Sequence, residues 1–458
     1  MTICFAIVRE DEFMKKQTWK KALCAAVAVM MSASLLASCG KDGKKNSTGG
    51  VATPDKDGKV TLTITDWETD NLNEAMQKAF DEEFTKNNPN IKVKIVPAPL
   101  GDYGVKIGQM ISSGLAPDIF QLGEDTTYSF MEKGLLYDWK EYFAKEEGLS
   151  EKAYPGIFDA WVAEDGTVIG LPGLINVTGI FYNKDKLAQA GLDEPKNGWT
   201  YEEMFSYAEA LKGGDGEYGI YNLQMNYYWA NVLSVGNGGQ KMTDEVLNPS
   251  KVTWDDKFYE AVEMFKEHVV SGAVAPPTYE VTNIQDVFKQ GSLPMLQYGQ
   301  WEISDLINDA NENLNWGYVS NPMGSEKMTT QCGAVGWVSP KNIKATDQIW
   351  ELMKFMAGDM YKTALKVSPV AACAFQEPSE TFFNTVIDAG HPEAAEAVQY
   401  MMNVETKVTG FYPAWKPDAE KEINSVWNDV IMGKKDISEL KAVEERVNEV
   451  ISKNRKEK

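Results

Sequence analysis

Between residues 60 and 122, strand patterns alternate with helix patterns, and this alternation leaves few folds open to the chain. Apolar residues occupy every second position of the first two strand segments, which is typical of strands with one face in a core. The predicted elements are strands at 60–65, 91–95 and 118–122 and helices at 71–86 and 103–113. Strands joined by helices imply a parallel sheet covered on both faces. Ligands of such sheets collect at the carboxyl ends of the strands.

Two helical stripes predict faces that pack on a core. The first helix is expected to begin at Asn71, because Asn71 and Glu74 have the spacing of a capping box. Its apolar stripe consists of Leu72, Met76, Phe80 and Phe84. A later stripe consists of Phe258, Ala261, Val262, Phe265 and Val269. Both stripes are interpreted as core rather than as site.

Aromatic and acidic residues follow the first and third predicted strands. Asp66, Trp67 and Glu68 come directly after the first strand, and Glu124 and Asp125 after the third. The C–H face of a sugar ring packs on an indole, while its hydroxyl groups need oriented acceptors and donors. These residues therefore predict a sugar site. The alternative is a tryptophan at the rim of the sheet and an acidic helix cap.

The first 38 residues have the pattern of an export signal. Four lysines (Lys15, Lys16, Lys20 and Lys21) precede a short apolar run, and Leu36-Ala37-Ser38-Cys39 follows. This pattern is similar to a bacterial lipoprotein signal peptide, which implies cleavage before Cys39 and lipid on Cys39. A plain secretory signal or a single-span anchor is the alternative. Residues 39–59 are rich in Gly, Lys, Ser and Asp and predict a flexible tether.

Charge and residue usage exclude several classes of function. The chain carries 67 acidic and 45 basic residues, a formal charge of −22, so nucleic acid is not expected as a partner. Residues 40–445 contain no arginine, which disfavours an anionic ligand. His268 and His391 stand alone and no CxxC spacing occurs, so neither a metal nor a cofactor is expected. Pairing of Cys332 with Cys373 stays open, as does the alternative of two buried thiols.

The order of motifs resembles the extracellular solute-binding proteins of carbohydrate ABC importers. The segments that carry the resemblance are 113–119, 132–136, 170–172, 176–184, 195–203, 222–239 and 297–301. The resemblance implies a two-lobed α/β fold of the periplasmic-binding-protein type II. Each lobe would have a mostly parallel sheet flanked by helices, and several crossings of the chain would hinge the lobes.

The resemblance also implies lobe boundaries and further site residues. Lobe 1 is expected at 60–175 and 333–370, and lobe 2 at 176–332 and 371–458, with Gly333–Val338 as the strand that returns to lobe 1. Trp301, Tyr227 and Trp415 are implied as ring platforms and Asp125 as a hydroxyl acceptor. The remaining candidates in the matching segments are Asn176, Tyr228, Trp229 and Trp337. Leu122 and Asn176 depart from the maltose-binding pattern, so the sugar is not expected to be maltose.

The expected protein is a monomeric receptor on the outer face of a bacterial cytoplasmic membrane, held there only by lipid. It would bind a neutral mono- or oligosaccharide and deliver it to the permease subunits of an ABC importer. Two alternatives remain. One is a receptor for polyamines or another solute, an alternative that the acidic charge keeps open. The other is a secreted glycoside hydrolase, which would need two carboxylates flanking one bond.

Overall fold

The computed structural model describes residues 51–158, 161–163, 165–223, 225–246, 248–309, 312–330, 333–404, 406–407, 413 and 415–455. The predicted signal peptide, Cys39, the first part of the tether and Cys332 lie outside this part of the chain. Residues 49–458 form one compact unit. Within the described part, no helix is both long and apolar enough to cross a bilayer.

The structure is α/β, as predicted. The strands are β1 (Val60–Thr65), β2 (Ile91–Ile95), β3 (Ile119–Gly123), β4 (Gly170–Asn176), β5 (Thr178–Asn183), β6 (Met295–Gly299), β7 (Trp316–Ser320), β8 (Thr329–Thr330), β9 (Gly333–Val338) and β10 (Thr406–Lys407). The first helices are α1 (Asp70–Ala79), α2 (Thr85–Asn87), α3 (Tyr103–Ser112), α4 (Glu124–Glu132), α5 (Lys140–Phe143), α6 (Lys184–Gln189), α7 (Tyr201–Leu211) and α8 (Tyr227–Gly236). They are followed by α9 (Asp256–Val270), α10 (Ile284–Lys289), α11 (Glu302–Asp309), α12 (Thr346–Ala357), α13 (Asp359–Ala364), α14 (Gln376–Asp388), α15 (Pro392–Met402), α16 (Lys416–Ile431) and α17 (Glu439–Asn454). A π-helical turn, Phe80–Phe84, joins α1 to α2, and short 3₁₀ turns occur at Leu100–Asp102 and Ser150–Lys152.

The first sheet has the strand order β2-β1-β3-β9-β4. Strand β1 pairs in parallel with β2 and β3, which confirms the parallel arrangement expected from residues 60–122. Strand β9 lies between β3 and β4 and is antiparallel to both. The predicted return of Gly333–Val338 to this sheet is therefore confirmed.

Helix α1 keeps its predicted buried stripe but begins elsewhere. Leu72, Met76, Phe80 and Phe84 are all buried. The cap is Thr69 rather than Asn71, because Thr69 has extended backbone and its hydroxyl accepts the backbone N–H of Leu72 at 3.4 Å. Asn71 lies exposed in the first turn, so the predicted capping box was wrong.

The second sheet is antiparallel, which differs from the mostly parallel sheet expected there. Its order is β6-β5-β7, and β5 runs opposite to both neighbours. Only Val177 separates β5 from β4 of the first sheet, so the chain enters the second sheet directly from the first. The neighbours of β5 then come from distant segments of the chain, and no strand–helix–strand unit forces them to be parallel.

Helices α7 and α9 share the core on one side of the second sheet. Helix α7 has the capping box of Thr200 and Glu203, with the Glu203 N–H donating to Thr200 Oγ1 at 3.1 Å. The stripe of α9 is buried. Successive side chains of β5 face opposite cores, Ile180 and Tyr182 on one side and Phe181 on the other. The predicted lobe boundaries stay predictions.

Candidate functional site

Two sheet edges meet at the crossing between β4 and β5. The carboxyl ends of β1 and β3 lie at one edge of the first sheet, together with Asn176 at the end of β4, which pairs with Gly333. In the second sheet, Thr178 at the start of β5 pairs with Gly299 at the end of β6. Because one residue separates β4 from β5, both edges adjoin the crossing. The residues after β1 and β3 lie at the first of these edges and those after β6 at the second, and they include many of the candidates from the sequence.

A compact turn follows β1 on the first-sheet edge. Asp66 is fully buried, and its Oδ1 accepts the side-chain N–H of Asn73 at 3.1 Å and the backbone N–H of Glu68 at 3.2 Å. The same Asn73 amide donates to the Glu68 carbonyl oxygen at 3.1 Å. Three contacts thus fix the backbone on both sides of Trp67. This turn holds the indole and the Glu68 carboxylate in one arrangement.

The Glu68 carboxylate is half-buried and is held by an amide from the neighbouring strand. Nε2 of Gln121, a buried side chain on β3, donates to Glu68 Oε1 at 2.8 Å. Burial raises the pKa of Glu68 to about 7; the charge of Asp66 adds to the rise and the Gln121 hydrogen bond opposes it. Burial also raises the pKa of Asp66. Near neutral pH, Glu68 is therefore able both to accept and to donate a hydrogen bond.

Trp67 is half-buried, and its indole packs against the ring of Tyr103. The ring of Tyr103 meets its indole edge-on, with centroids 4.9 Å apart and planes at 87°. The Tyr103 hydroxyl donates to the carbonyl oxygen of Thr65 at 2.7 Å, which ties the supporting ring to β1. The indole is thus held in position while part of its surface stays accessible.

Trp301 is the most open candidate aromatic, with 43% of its surface exposed. It follows β6 on the second-sheet edge. The six-membered ring of its indole lies over Gly299, where a Cβ atom would overlap it. The Tyr298 ring stands 5.8 Å away at 63°. Glycine at 299 is therefore what lets the indole lie against its own strand while part of its surface stays exposed.

Other candidates lie near the same edges. Asn176 is half-buried at the end of β4. Glu124 and Asp125 begin α4 directly after β3, and their side chains lie outside the described part of the structure. The segment around Tyr221 pairs in parallel with Leu296 of β6, so the chain is carried to the second-sheet edge before α8 begins. Trp415 is half-buried just before α16, and the residue before it, Ala414, is not described.

The aromatic cluster at the start of α8 is mostly turned into the core. Trp229 is 1% exposed and Tyr227 is buried, with its hydroxyl donating to Glu420 Oε1 at 2.9 Å. Tyr228 is half-buried beside Trp229. Tyr227 is thus oriented by α16, and of these three rings Tyr228 presents the most surface.

Trp337 lies inside the first sheet rather than at its edge. It is fully buried on β9, directly opposite Gln121 of β3. Trp229 and Trp337 therefore offer no open surface in this structure, and their predicted part in ligand binding stays a prediction. Periodicity could not separate a buried tryptophan on a strand from one at a strand end.

Several polar residues of this region were not singled out from the sequence. Asn73 and Gln121 support Glu68 from buried positions on α1 and β3. Gln300 lies fully buried between the crossing and Trp301. An amide inside an apolar strand, as in the segment Ile119–Gly123, was the available signal, because buried amides require partners.

The described residues contain no group of three or more His, Cys, Asp or Glu side chains that could hold a metal ion. Cys373 is a free, buried thiol whose Sγ donates to the carbonyl oxygen of Ala357 at 3.2 Å. Burial raises its pKa to about 12, so the reactive thiolate form is disfavoured.

A sequence profile described as "Bacterial extracellular solute-binding protein" matches residues 69–363. The chain belongs to this family. Among curated members, it is 24% identical to the "Putative ABC transporter periplasmic-binding protein YcjN" of Escherichia coli, over 65% of this chain and 66% of that protein. It is 25% identical to the "Galactooligosaccharide-binding protein" of Bacillus subtilis, over 74% of this chain and 75% of that protein.

Solved structures of solute-binding proteins share the fold. An ABC substrate-binding protein from Listeria monocytogenes, solved in complex with cycloalternan, superposes with a TM-score of 0.72 at 22% identity. The superposition covers 86% of this chain and 99% of that one. The predicted two-lobed, type II fold of periplasmic binding proteins is therefore confirmed.

Proposed function

We propose that this solute-binding protein is a receptor that takes up a carbohydrate between its two sheet edges and delivers it to an ABC importer. The proposal rests on two observations: an exposed indole, Trp301, follows β6, and a fixed indole and carboxylate, Trp67 and Glu68, follow β1. Ring faces suit the C–H surface of a sugar, and Glu68 suits its hydroxyl groups. The names of the galacto-oligosaccharide-binding relative and of the cycloalternan complex support a carbohydrate.

The finer identity of the ligand is part of the same proposal. A neutral oligosaccharide fits best, because two rings on separate edges can each cover one sugar unit. Burying roughly 100 Å² of ring surface contributes about 2.5 kcal/mol per ring before ordering costs. The protein would act as a monomer, tethered by lipid on Cys39 at the outer face of the membrane, and would bind without chemical change of the sugar.

A screen of neutral mono- and oligosaccharides tests this function. Thermal shift identifies ligands, calorimetry gives their stoichiometry, and chromatography of the incubated sugars detects turnover. We expect one sugar per chain, a raised Tm and no product. Stabilisation by none of the sugars would contradict the receptor proposal, and accumulation of product would support the hydrolase instead.

A cationic solute is the second candidate, and one observation favours it. Asp66 and Glu68 lie close enough for the charge of Asp66 to raise the pKa of Glu68. An ammonium group would compensate these charges. Spermidine is the probe, and competition between spermidine and the best oligosaccharide distinguishes the two ligands. Binding of spermidine alone, with no effect of any sugar, would favour the polyamine receptor.

A further inference from the structure

Buried amide groups hold the crossing between the two sheets. The crossing consists of Ile175, Asn176, Val177 and Thr178. The backbone N–H of Gln300 donates to the carbonyl oxygen of Val177 at 3.1 Å, and the Gln300 side-chain Nε2 donates to that of Ile175. A single residue thus binds the chain on both sides of Asn176.

A second amide continues this arrangement into the second sheet. The side-chain Nδ2 of Asn321 donates to the carbonyl oxygen of Thr178, and its Oδ1 accepts Nε2 of Gln297 at 2.9 Å. Gln297, Gln300 and Asn321 are all buried. Burying an amide is costly unless it is hydrogen-bonded, so three of them at one crossing indicate a need for defined geometry rather than for apolar packing.

Gln300 also adjoins the most exposed ring of the site. It lies between Gly299, which pairs with Thr178, and Trp301, whose indole lies over Gly299. The three residues therefore connect the ring to the crossing within one short segment. The indole lies over Gly299, which pairs with Thr178, and the next residue, Gln300, is hydrogen-bonded to Val177 and Ile175.

We propose that Gln300 is a positioning residue that couples the Trp301 ring to the angle between the two sheets. A ligand that packs on Trp301 would then favour one arrangement of the crossing, and the amide contacts would define which arrangement the unliganded protein adopts. This inference rests on the proposed function for its ligand, but its structural half concerns the ligand-free protein alone.

The test replaces Gln300 by methionine, which keeps the length of the side chain and removes its N–H donor. Small-angle X-ray scattering measures the radius of gyration of the full chain, expected at about 22 Å for a folded chain of this size. We expect Gln300→Met to shift the ligand-free radius by about 1 Å and to weaken the best sugar about tenfold. Trp301→Ala should weaken the sugar but leave the ligand-free radius unchanged.

The matched control is Asn231→Leu. Asn231 is a buried amide on α8 that donates to the carbonyl oxygen of Gln240 at 3.1 Å, away from the crossing. Asn231→Leu should lower the Tm, because a buried, hydrogen-bonded amide is lost, but it should change neither the radius of gyration nor the sugar affinity. The inference is overturned if Gln300→Met shifts the ligand-free radius no more than Asn231→Leu does.

Two further arms keep the outcome decisive. If Gln300→Met does not fold, Asn321→Leu removes the contact to Thr178 instead and is judged by the same radius criterion. If the unsubstituted protein binds no sugar, the proposed function fails, and the ligand-free radius still decides the role of Gln300.

Discussion

The two edges of the site are built on different principles. On the first-sheet edge, hydrogen bonds connect the turn after β1 with Gln121 of β3, and little of this surface is open. The turn residues involved are Asp66, Glu68 and Asn73. On the second-sheet edge, Trp301 offers an open ring with polar support behind it. Directional hydrogen bonds discriminate between ligands, whereas ring burial contributes affinity with little discrimination. We infer that the first edge selects the sugar and the second edge holds it.

Removal of the open ring should have the largest effect. Trp301→Ala is expected to weaken the best sugar by about 2 to 3 kcal/mol, because the indole supplies most of the buried apolar area on its edge. Calorimetry measures the affinity, and Tm reports the fold. Tyr400→Ala is the control, since Tyr400 is 37% exposed on α15 and should leave affinity unchanged. An equal loss in both variants would contradict a specific role for Trp301.

On the first edge, Glu68→Gln should change the pH dependence of stability. The folded-state pKa of Glu68 is raised from 4.5 to about 7, so folding takes up a proton between these values. Stability contributed by this group is therefore lost as pH rises through that window. Between pH 4.5 and pH 8, the free energy of unfolding of the unsubstituted protein should fall by an amount on the order of 2 kcal/mol, a figure reduced for partial solvation of the carboxylate. Glu68→Gln should abolish this fall. Urea unfolding at the two pH values measures it.

Glu302→Gln provides the comparison for this change. Burial raises the pKa of Glu302 to about 7 as well, with Lys289 3.6 Å from its Oε1. Both variants should flatten the stability profile, but only Glu68→Gln should also alter the pH dependence of sugar affinity. If Glu302→Gln altered it equally, Glu68 would have no special place in the site.

The sequence predicted β1, β2 and β3 and their parallel arrangement because alternation and helical stripes depend on local burial alone. Glu68 was selected because it follows a predicted strand, and Trp301 because the resemblance of segment 297–301 implied a ring platform; the roles of both stay predictions. The sequence could not show that Trp229 and Trp337 are buried whereas Trp301 is exposed. The burial of an aromatic residue depends on neighbours from distant segments of the chain, such as Gln121 opposite Trp337. The antiparallel second sheet and the support from Gln300 depend on contacts across more than 100 positions, which no local pattern carries.

A smaller effect is expected from Gly299→Ala, which tests how the open ring is supported. The added methyl group would overlap the indole of Trp301 and displace it, so we expect affinity to fall about tenfold, or ~1.4 kcal/mol, with a shift in tryptophan fluorescence. In the double variant with Trp301→Ala, the glycine substitution should add no further loss, because both changes act on one ring. Additive losses would show that Gly299 affects affinity independently of the indole.

The smallest effect is expected from Tyr103→Phe, which tests whether the first edge depends on a ring or on its hydroxyl group. Phenylalanine keeps the edge-on contact with Trp67 but loses the hydrogen bond to the carbonyl oxygen of Thr65. Stability should fall by about 1 kcal/mol, and sugar affinity should stay within twofold. Tyr103→Ala, which removes the ring as well, should weaken the sugar further because Trp67 loses its support. If Tyr103→Phe alone reduced affinity as much as Tyr103→Ala, the hydroxyl rather than the ring would position Trp67, and the first edge would depend on hydrogen bonds throughout.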